Sequence, residues 1–207
     1  MLLYYITDRK QFPGPEPRRR ELLLARIAEA ARAGVDYIQL REKDLPAREL
    51  ESLAREAVRL VRETGNVKRE TRLLINSRSD VALATSADGV HLPSDDIPAS
   101  DARTVWSPRN VIIAVSCHTA EEVRLAEAQG ADFAVFGPVF EKVGTSLSVG
   151  LDALHHACLG HMPVLAIGGV TLENARACVE AGAAGIAAIR LFQQKGIMEA
   201  VKELRGS

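Results

Sequence analysis

Apolar runs of β character alternate with amphipathic helical segments from one end of this chain to the other, and few folds accept that pattern. The apolar runs are LLYYITD (2–8), DYIQLRE (36–42), RLLINS (72–77), GVHLP (89–93), VIIAVSCH (111–118), DFAVFGPVF (132–140), VLAIGG (164–169) and GIAAIRLF (185–192). Several are apolar at successive positions, so both faces of the strand are buried, as in parallel strands with helices outside and packed side chains inside. Between them lie segments of helical period such as RRELLLARIAEAARAG (19–34), ARELESLAREAVRLVRETG (47–65), AEEVRLAEAQG (120–130) and LENARACVEAG (172–182). A weak internal echo supports a closed ring: AGVDYIQL, SADGVHL, QGADFAVF and AGAAGIAAI each join a helix end to a strand. In AGVD, QGAD and AGAA the glycine suits a left-handed helix end. Thr119 with Glu122 fits a capping box, and Thr171 with Asn174 fits its first half. The expected fold is α/β, a single (β/α)8 TIM barrel domain over 1–207. A doubly wound open sheet is the runner-up, without the GxGxxG that would follow its first strand.

Composition narrows the function classes. A formal net charge of -1 gives no bulk attraction to nucleic acid or anionic membrane, so a small anionic ligand needs a local cluster of cations. The three cysteines, Cys117, Cys158 and Cys178, form no CxxC pair and suggest reduced thiols. No apolar run approaches the roughly 20 residues of a membrane span, and MLLYYITDRK is too briefly apolar for a signal peptide, so a cytoplasmic location is expected. A homo-oligomer is compatible with this composition.

Chemistry in such a barrel sits at the carboxyl ends of the strands. In YIQLREKD, the period of two puts Gln39, Arg41 and Lys43 on one face, an amide, a guanidinium and an ammonium suited to phosphate or diphosphate. The alternative is that Arg41 and Lys43 pair with Glu42, Asp44 or helix carboxylates at the rim. In LLINSRSD, Asn76 can orient a ligand and Arg78 can hold an anion, with uncharged Ser77 between them. AIGGVTLEN offers a second anion site, in which Gly168 and Gly169 admit close backbone approach and the next helix presents free N–H groups. Arg190, read as the end of the eighth strand, lies near it. Asp95 and Asp96 follow the fourth strand; Asp96 suits Mg²⁺ as an oxygen ligand, or the next helix as its N-cap. His91 and His118 lie at strand ends and can transfer protons, although a lone histidine there is more often simply hydrogen-bonded. Cys117 should point away from the mouth, opposite to Ser116. His155, His156 and His161 read as surface groups, and EPRRREL and VKRETR as solvated faces.

Taken in order and spacing, YYITD, YIQLREK, LLINSR with DVAL, ADGVHL, VSCHTAEEV, FGPVF, VLAIGGVT and AGAAGIAAI resemble thiamine-phosphate synthase and its relative TenI, the thiazole tautomerase. The resemblance implies an enzyme that couples a pyrimidine diphosphate to a thiazole phosphate, releasing diphosphate. It implies that Gln39, Arg41, Lys43 and Asn76 bind the pyrimidine diphosphate, that Ser116 matches a serine of the fifth strand, and that Gly168 lies near the thiazole phosphate. With Gly169 and Arg190 these are the expected substrate-binding residues, and Lys43, Ser116 and His118 the expected catalytic groups. Mg²⁺ is the implied cofactor, with Asp96 as one ligand; the second family aspartate falls on Ser77. The family's serine after the eighth strand is Arg190 here, and its loop lysine has only Lys142, Thr145 or Ser146 as candidate substitutes in EKVGTSLSVG. The alternatives are a TenI-type tautomerase, with His118 or His91 as acid and base in place of the histidine that TenI often carries at Pro138, and a non-catalytic sensor of phosphorylated thiamine precursors.

Overall fold

The computed structural model describes residues 1–64, 69–106, 111–141, 148–193 and 196–206. Eight parallel strands close into a barrel: β1 (Leu2–Ile6), β2 (Tyr37–Leu40), β3 (Arg72–Asn76), β4 (Gly89–Leu92), β5 (Ile112–Cys117), β6 (Phe133–Phe136), β7 (Val164–Ile167) and β8 (Gly185–Ala188). Strand β8 returns to β1, with Leu2 opposite Gly185 and Tyr5 opposite Ala188, so the sheet has no edge. The helices around it are α1 (Glu16–Ala33), α2 (Ala47–Thr64), α3 (Ser79–Thr85), α4 (Ala99–Trp106), α5 (Ala120–Ala128), α6 (Gly150–Ala157), α7 (Ala175–Glu180), α8 (Arg190–Gln193) and α9 (Ile197–Arg205). The (β/α)8 barrel is therefore the fold. The apolar run 185–192 is not one strand: β8 ends at Ala188, and Arg190 opens the four-residue α8.

Strand alternation separates two cores. Leu3, Tyr5, Ile38, Leu40, Leu73 and Ile75 face outward and pack under Leu23 and Ile27 of α1 and Leu53 of α2. Tyr4, Leu74, Ala114, Phe133, Val135, Leu165 and Ala187 face the lumen. Tyr4 and Phe133 meet edge to face with ring centroids 5.5 Å apart, which plugs the lumen below the mouth. Each of the outer-layer leucines, fully buried, stabilises the barrel by about 1.5–3 kcal/mol relative to an exposed position. Cys117 lies in the outer layer, as its alternation with Ser116 requires, and burial pushes its thiol up to about 12.

The repeated helix-to-strand turns have a physical basis. Helix α1 ends at Gly34 with φ 78°, whose N–H donates to Ala31 O while that of Val35 donates to Ala30 O, satisfying the last carbonyls. Gly130 and Gly182 are left-handed too, one residue beyond the C-caps Gln129 and Ala181, whereas the SADGVHL turn uses Ser86 at φ 54°. The aspartate of the echo, which the glycine argument did not use, closes the bottom of the barrel. Asp36 accepts from Leu3 N–H at 2.8 Å, Asp88 from Leu73 N–H at 2.8 Å and Asp132 from Ile113 N–H at 2.7 Å, each on the strand before it. Thr119 accepts from Glu122 N–H at 3.1 Å, and the Glu122 carboxylate accepts from His118 N–H rather than from Thr119. At the other predicted cap the reverse half forms: Asn174 accepts from Thr171 N–H at 2.8 Å, and α7 starts only after Asn174. His155, His156 and His161 are exposed, as expected. No helix of the described residues is long and apolar enough to cross a membrane.

Candidate active site

The carboxyl end of β2 carries the densest chemistry. Gln39 is the last lumen-facing residue of the strand and is 1 % exposed, and Arg41 to Asp44 run on beyond it as a turn. The carboxylates interleaved with the cations are both taken by Arg9 and Lys10 of the β1 loop. Glu42, buried, accepts from Thr7 Oγ1 at 2.6 Å, from Arg9 N–H at 3.1 Å and from the Arg9 guanidinium at 3.1 Å. Asp44 accepts both arms of the Arg9 fork at 2.7 and 2.9 Å, with Lys10 Nζ at 3.1 Å. The Arg9 guanidinium holds the Asp44 carboxyl well below the usual range, whereas burial pushes Glu42 up against the opposing pull of Thr7 and Arg9. The difference is position: Asp44 sits at the wet rim, and Glu42 lies beneath it. Arg41 and Lys43 therefore make no ion pair among the described residues, and the rim-pairing alternative does not hold.

At the end of β3, Asn76 faces the lumen and its Nδ2 donates to Ser77 Oγ at 3.0 Å. Ser77 lies in the left-handed region at φ 58°, a conformation that Asp or Asn adopts more readily than Ser. Arg78 does not hold an anion-binding position; it forks onto Asp80, with Nε to Oδ1 at 2.8 Å. Asp96 is half-buried in the loop after β4 and accepts from Ile97 N–H at 2.8 Å. It does not cap α4, which begins at Ala99, and it makes no ion pair among the described residues.

Below the mouth, four lumen side chains form one buried chain. Gln39 Nε2 donates to Tyr4 Oη at 3.1 Å, Tyr4 Oη lies 3.0 Å from His91 Nδ1, and His91 Nε2 lies 2.8 Å from Ser116 Oγ. His91 is 3 % exposed, and burial, with Arg41 nearby, lowers its pKa to about 3. A neutral, covered imidazole bonded at both ring nitrogens is not placed to exchange protons with a ligand, which matches the simple hydrogen-bonded role open to a lone strand-end histidine. His118 is exposed, and its Nδ1–H donates to Gly137 O at 2.6 Å.

The second predicted anion site is built differently. Gly168 and Gly169 have φ of 95° and 65°, but their missing side chains make room for the chain itself. A Cβ on Gly168 would lie 2.5 Å from Pro138 Cα, and one on Gly169 would lie 2.7 Å from Glu141 O. Phe140 N–H donates to Gly168 O at 3.0 Å, locking the β6 loop over this turn. The helix that was expected to offer free N–H groups starts only at Ala175, and Asn174 binds Thr171 N–H and Gly169 O on the way. Arg190 is exposed and makes no ion pair among the described residues. Lys142, Thr145 and Ser146 lie outside the described residues, and no group of three or more His, Cys, Asp or Glu able to hold a metal occurs among the described ones.

Two residues that matter here carried no sequence signal. Arg9 acts across a gap of 33 residues to Glu42, and Tyr4 stands in an apolar strand where only the position of its hydroxyl sets it apart.

Comparison with known proteins identifies a family. Residues 3–192 match the model of a family described as thiamine monophosphate synthase, TMP-TENI. The chain is similar to a putative thiamine-phosphate synthase of Geobacter sulfurreducens, 45 % identical over 90 % of this chain and 84 % of the relative. It is 39 % identical to the thiamine-phosphate synthase of Roseiflexus sp., over 91 % of this chain and 76 % of that one. Among solved structures, a thiamine phosphate pyrophosphorylase from Pyrococcus furiosus superposes with a TM-score of 0.82 at 34 % identity, covering 99 % of this chain and 94 % of the other.

Proposed function

This chain belongs to the thiamine monophosphate synthase family, and from that premise we infer that it is the transferase joining a pyrimidine diphosphate to a thiazole phosphate, with thiamine phosphate and diphosphate as products. The observation that carries the reading is the sorting of charge in REKD. Arg9 and Lys10 pair with Glu42 and Asp44, so among the described residues Arg41 and Lys43 are left without a carboxylate partner beside Gln39. The tautomerase reading is not favoured, because the relatives reported above are synthases and His91 is withdrawn from the mouth.

The carbon–oxygen bond between the pyrimidine methylene and the diphosphate breaks, the thiazole nitrogen bonds to that carbon, and negative charge collects on the leaving diphosphate. In our reading Arg41 holds the diphosphate through its fork, and Lys43 follows the charge as it grows on the leaving oxygen. Asn76 and Ser116 orient the pyrimidine from the lumen wall, and Gln39 closes the floor beneath it. Gly168, Gly169 and Arg190 receive the thiazole phosphate on the other side. His118 is assigned to the rim, within reach of the substrates through the ring nitrogen that does not bind Gly137.

Mg²⁺ fits the residues present in a minimal way. It needs only one or two carboxylates when phosphate oxygens complete its shell, and Asp96, without an ion pair among the described residues, is the candidate. When bound, the ion neutralises charge on the diphosphate. Ser77 occupies the place where a second carboxylate would strengthen this site.

The test is to supply purified protein with both phosphorylated precursors and Mg²⁺, and in parallel with a non-aromatic thiazole tautomer. Formation of thiamine phosphate with release of diphosphate is expected. Aromatisation without coupling, or binding of both precursors with no product, would overturn the assignment.

A further inference from the structure

We propose that Tyr4 and His91 are positioning residues that fix the polarity of the Ser116 hydroxyl, so that Ser116 offers its proton to the bound pyrimidine instead of its lone pairs. This rests on the synthase reading for the identity of the ligand, but its geometry is that of the protein alone.

The direction of the chain follows from counting donors. Tyr4 Oη has two polar neighbours, Gln39 Nε2 at 3.1 Å and His91 Nδ1 at 3.0 Å. Gln39 Nε2 is a donor, so the hydroxyl accepts there, and its own proton has one remaining destination, His91 Nδ1. The reverse arrangement, with a proton on Nδ1, would leave Tyr4 Oη accepting twice and its proton without a partner. Tyr4 is 0 % exposed, so no bulk water is at hand to take that proton, and an unmade hydrogen bond there is costly. Nδ1 is therefore the acceptor. The imidazole is neutral, because burial strongly disfavours its charged form, so its one proton sits on Nε2. That proton points at Ser116 Oγ, 2.8 Å away. Ser116 accepts from below, and its hydroxyl proton is left to point toward the mouth.

The consequence is chemical. A serine whose partner histidine donates to it is not an activated nucleophile, since a general base must accept that proton. It is a fixed donor, suited to a hydrogen-bond acceptor such as a pyrimidine ring nitrogen. His91 acts through Ser116 and never touches substrate.

The experiment reads the tautomer directly. In protein with ¹⁵N-labelled histidine and no ligand, the His91 Nδ1 resonance is expected in the range of unprotonated ring nitrogen and Nε2 in the range of N–H. The Nδ1–H tautomer would overturn the proposal. In Tyr4→Phe the donor to Nδ1 is gone, so the His91 resonances should shift toward a mixture of tautomers. The KM for the pyrimidine diphosphate should rise about tenfold while kcat stays within about twofold, the scale of one weakened hydrogen bond made equally before and during reaction. Tyr4→Phe protein that remains folded with an unchanged tautomer and unchanged KM would also overturn it. Because the first measurement needs no substrate, an Nε2–H tautomer in a protein that makes no thiamine phosphate would reject the synthase reading and leave the hydrogen-bond direction standing.

Discussion

On β2, β3, β4 and β5 the last lumen-facing residues are Gln39, Asn76, His91 and Ser116; on β6, β7 and β8 they are Val135, Ile167 and Ala187. The first half of the mouth is built from side chains and the second from backbone. In the polar half, Arg9 and Tyr4 hold the supporting contacts, so Arg41 and Lys43 can face a ligand without stabilising the fold. In the apolar half, Gly168 and Gly169 serve the fold and the candidate phosphate site at once, because the β6 loop occupies the space their side chains would fill. Substitutions should therefore separate activity from stability in one half and confound them in the other.

The largest expected effect lies in the polar half. Arg41→Met and Lys43→Met should each lower kcat/KM by about 10²–10³, the scale of a single group that stabilises charge in the transition state. Stability should change by no more than about 0.5 kcal/mol, as for a position with no ion pair to lose among the described residues. Steady-state kinetics and urea unfolding on the same preparations check both halves of the statement. A large loss of stability in Arg41→Met would show that this cation is part of the scaffold, and the contrast would fail. Arg9→Met should behave in the opposite way, destabilising the fold because it strands buried Glu42.

In the backbone half, Gly168→Ala should destabilise by about 2 kcal/mol or more. A left-handed φ of 95° costs an alanine on the order of 1–3 kcal/mol, and Pro138 Cα must also move from 2.5 Å. Denaturation midpoints measure it, and activity should fall in step with the displaced β6 loop. A stable Gly168→Ala protein with lost activity would mean that the turn contacts ligand directly and is not committed to the loop.

A smaller effect, opposite in sign, is expected at the weak point of the polar half. Ser77→Asp should raise the coupling rate about tenfold at limiting Mg²⁺, equivalent to about 1.4 kcal/mol of added stabilisation of the leaving group. The backbone there already has φ 58°, which aspartate tolerates better than serine, so no loss of stability should offset the gain. An unchanged rate across an Mg²⁺ titration would remove the missing carboxylate as the explanation for a weak metal site.

The barrel was legible because its strands are apolar on both faces and its turns repeat, and local pattern is enough to report both. Gln39, Arg41 and Lys43 were legible as a group, although Arg41 and Lys43 lie past the strand end and are left without an ion pair among the described residues by Arg9, which no local spacing reveals. The echo of AGVD, SAD and QGAD was visible, but the task of its aspartates, bonding the N–H of the preceding strand, depends on strand register. Arg190 was misplaced on a strand because AAIRLF is apolar on both sides of the arginine, and a short helix with one buried face has the same composition. For His91 a strand-end position left proton transfer and simple hydrogen bonding both open; only the closure of the lumen by Tyr4 and Phe133 shows why it is sealed.

The smallest effect tests that seal without reference to catalysis. His91 stays neutral in the folded protein until about pH 3, whereas in the unfolded chain it takes a proton near pH 6.5. Its folded pKa is depressed, so its contribution to stability is fully present above pH 6.5 and declines as pH falls toward 3, the unfolded state binding the extra proton. Between pH 8 and pH 6 the loss from this one group is about 0.8 kcal/mol. Subtracting the stability curve of His91→Gln from that of the parent protein cancels the other titrating groups and leaves this slope. A flat difference would place water against the imidazole and make His91 accessible to protons from the mouth. The polar half would then hold a general base after all, and its separation from the scaffold would end at Ser116.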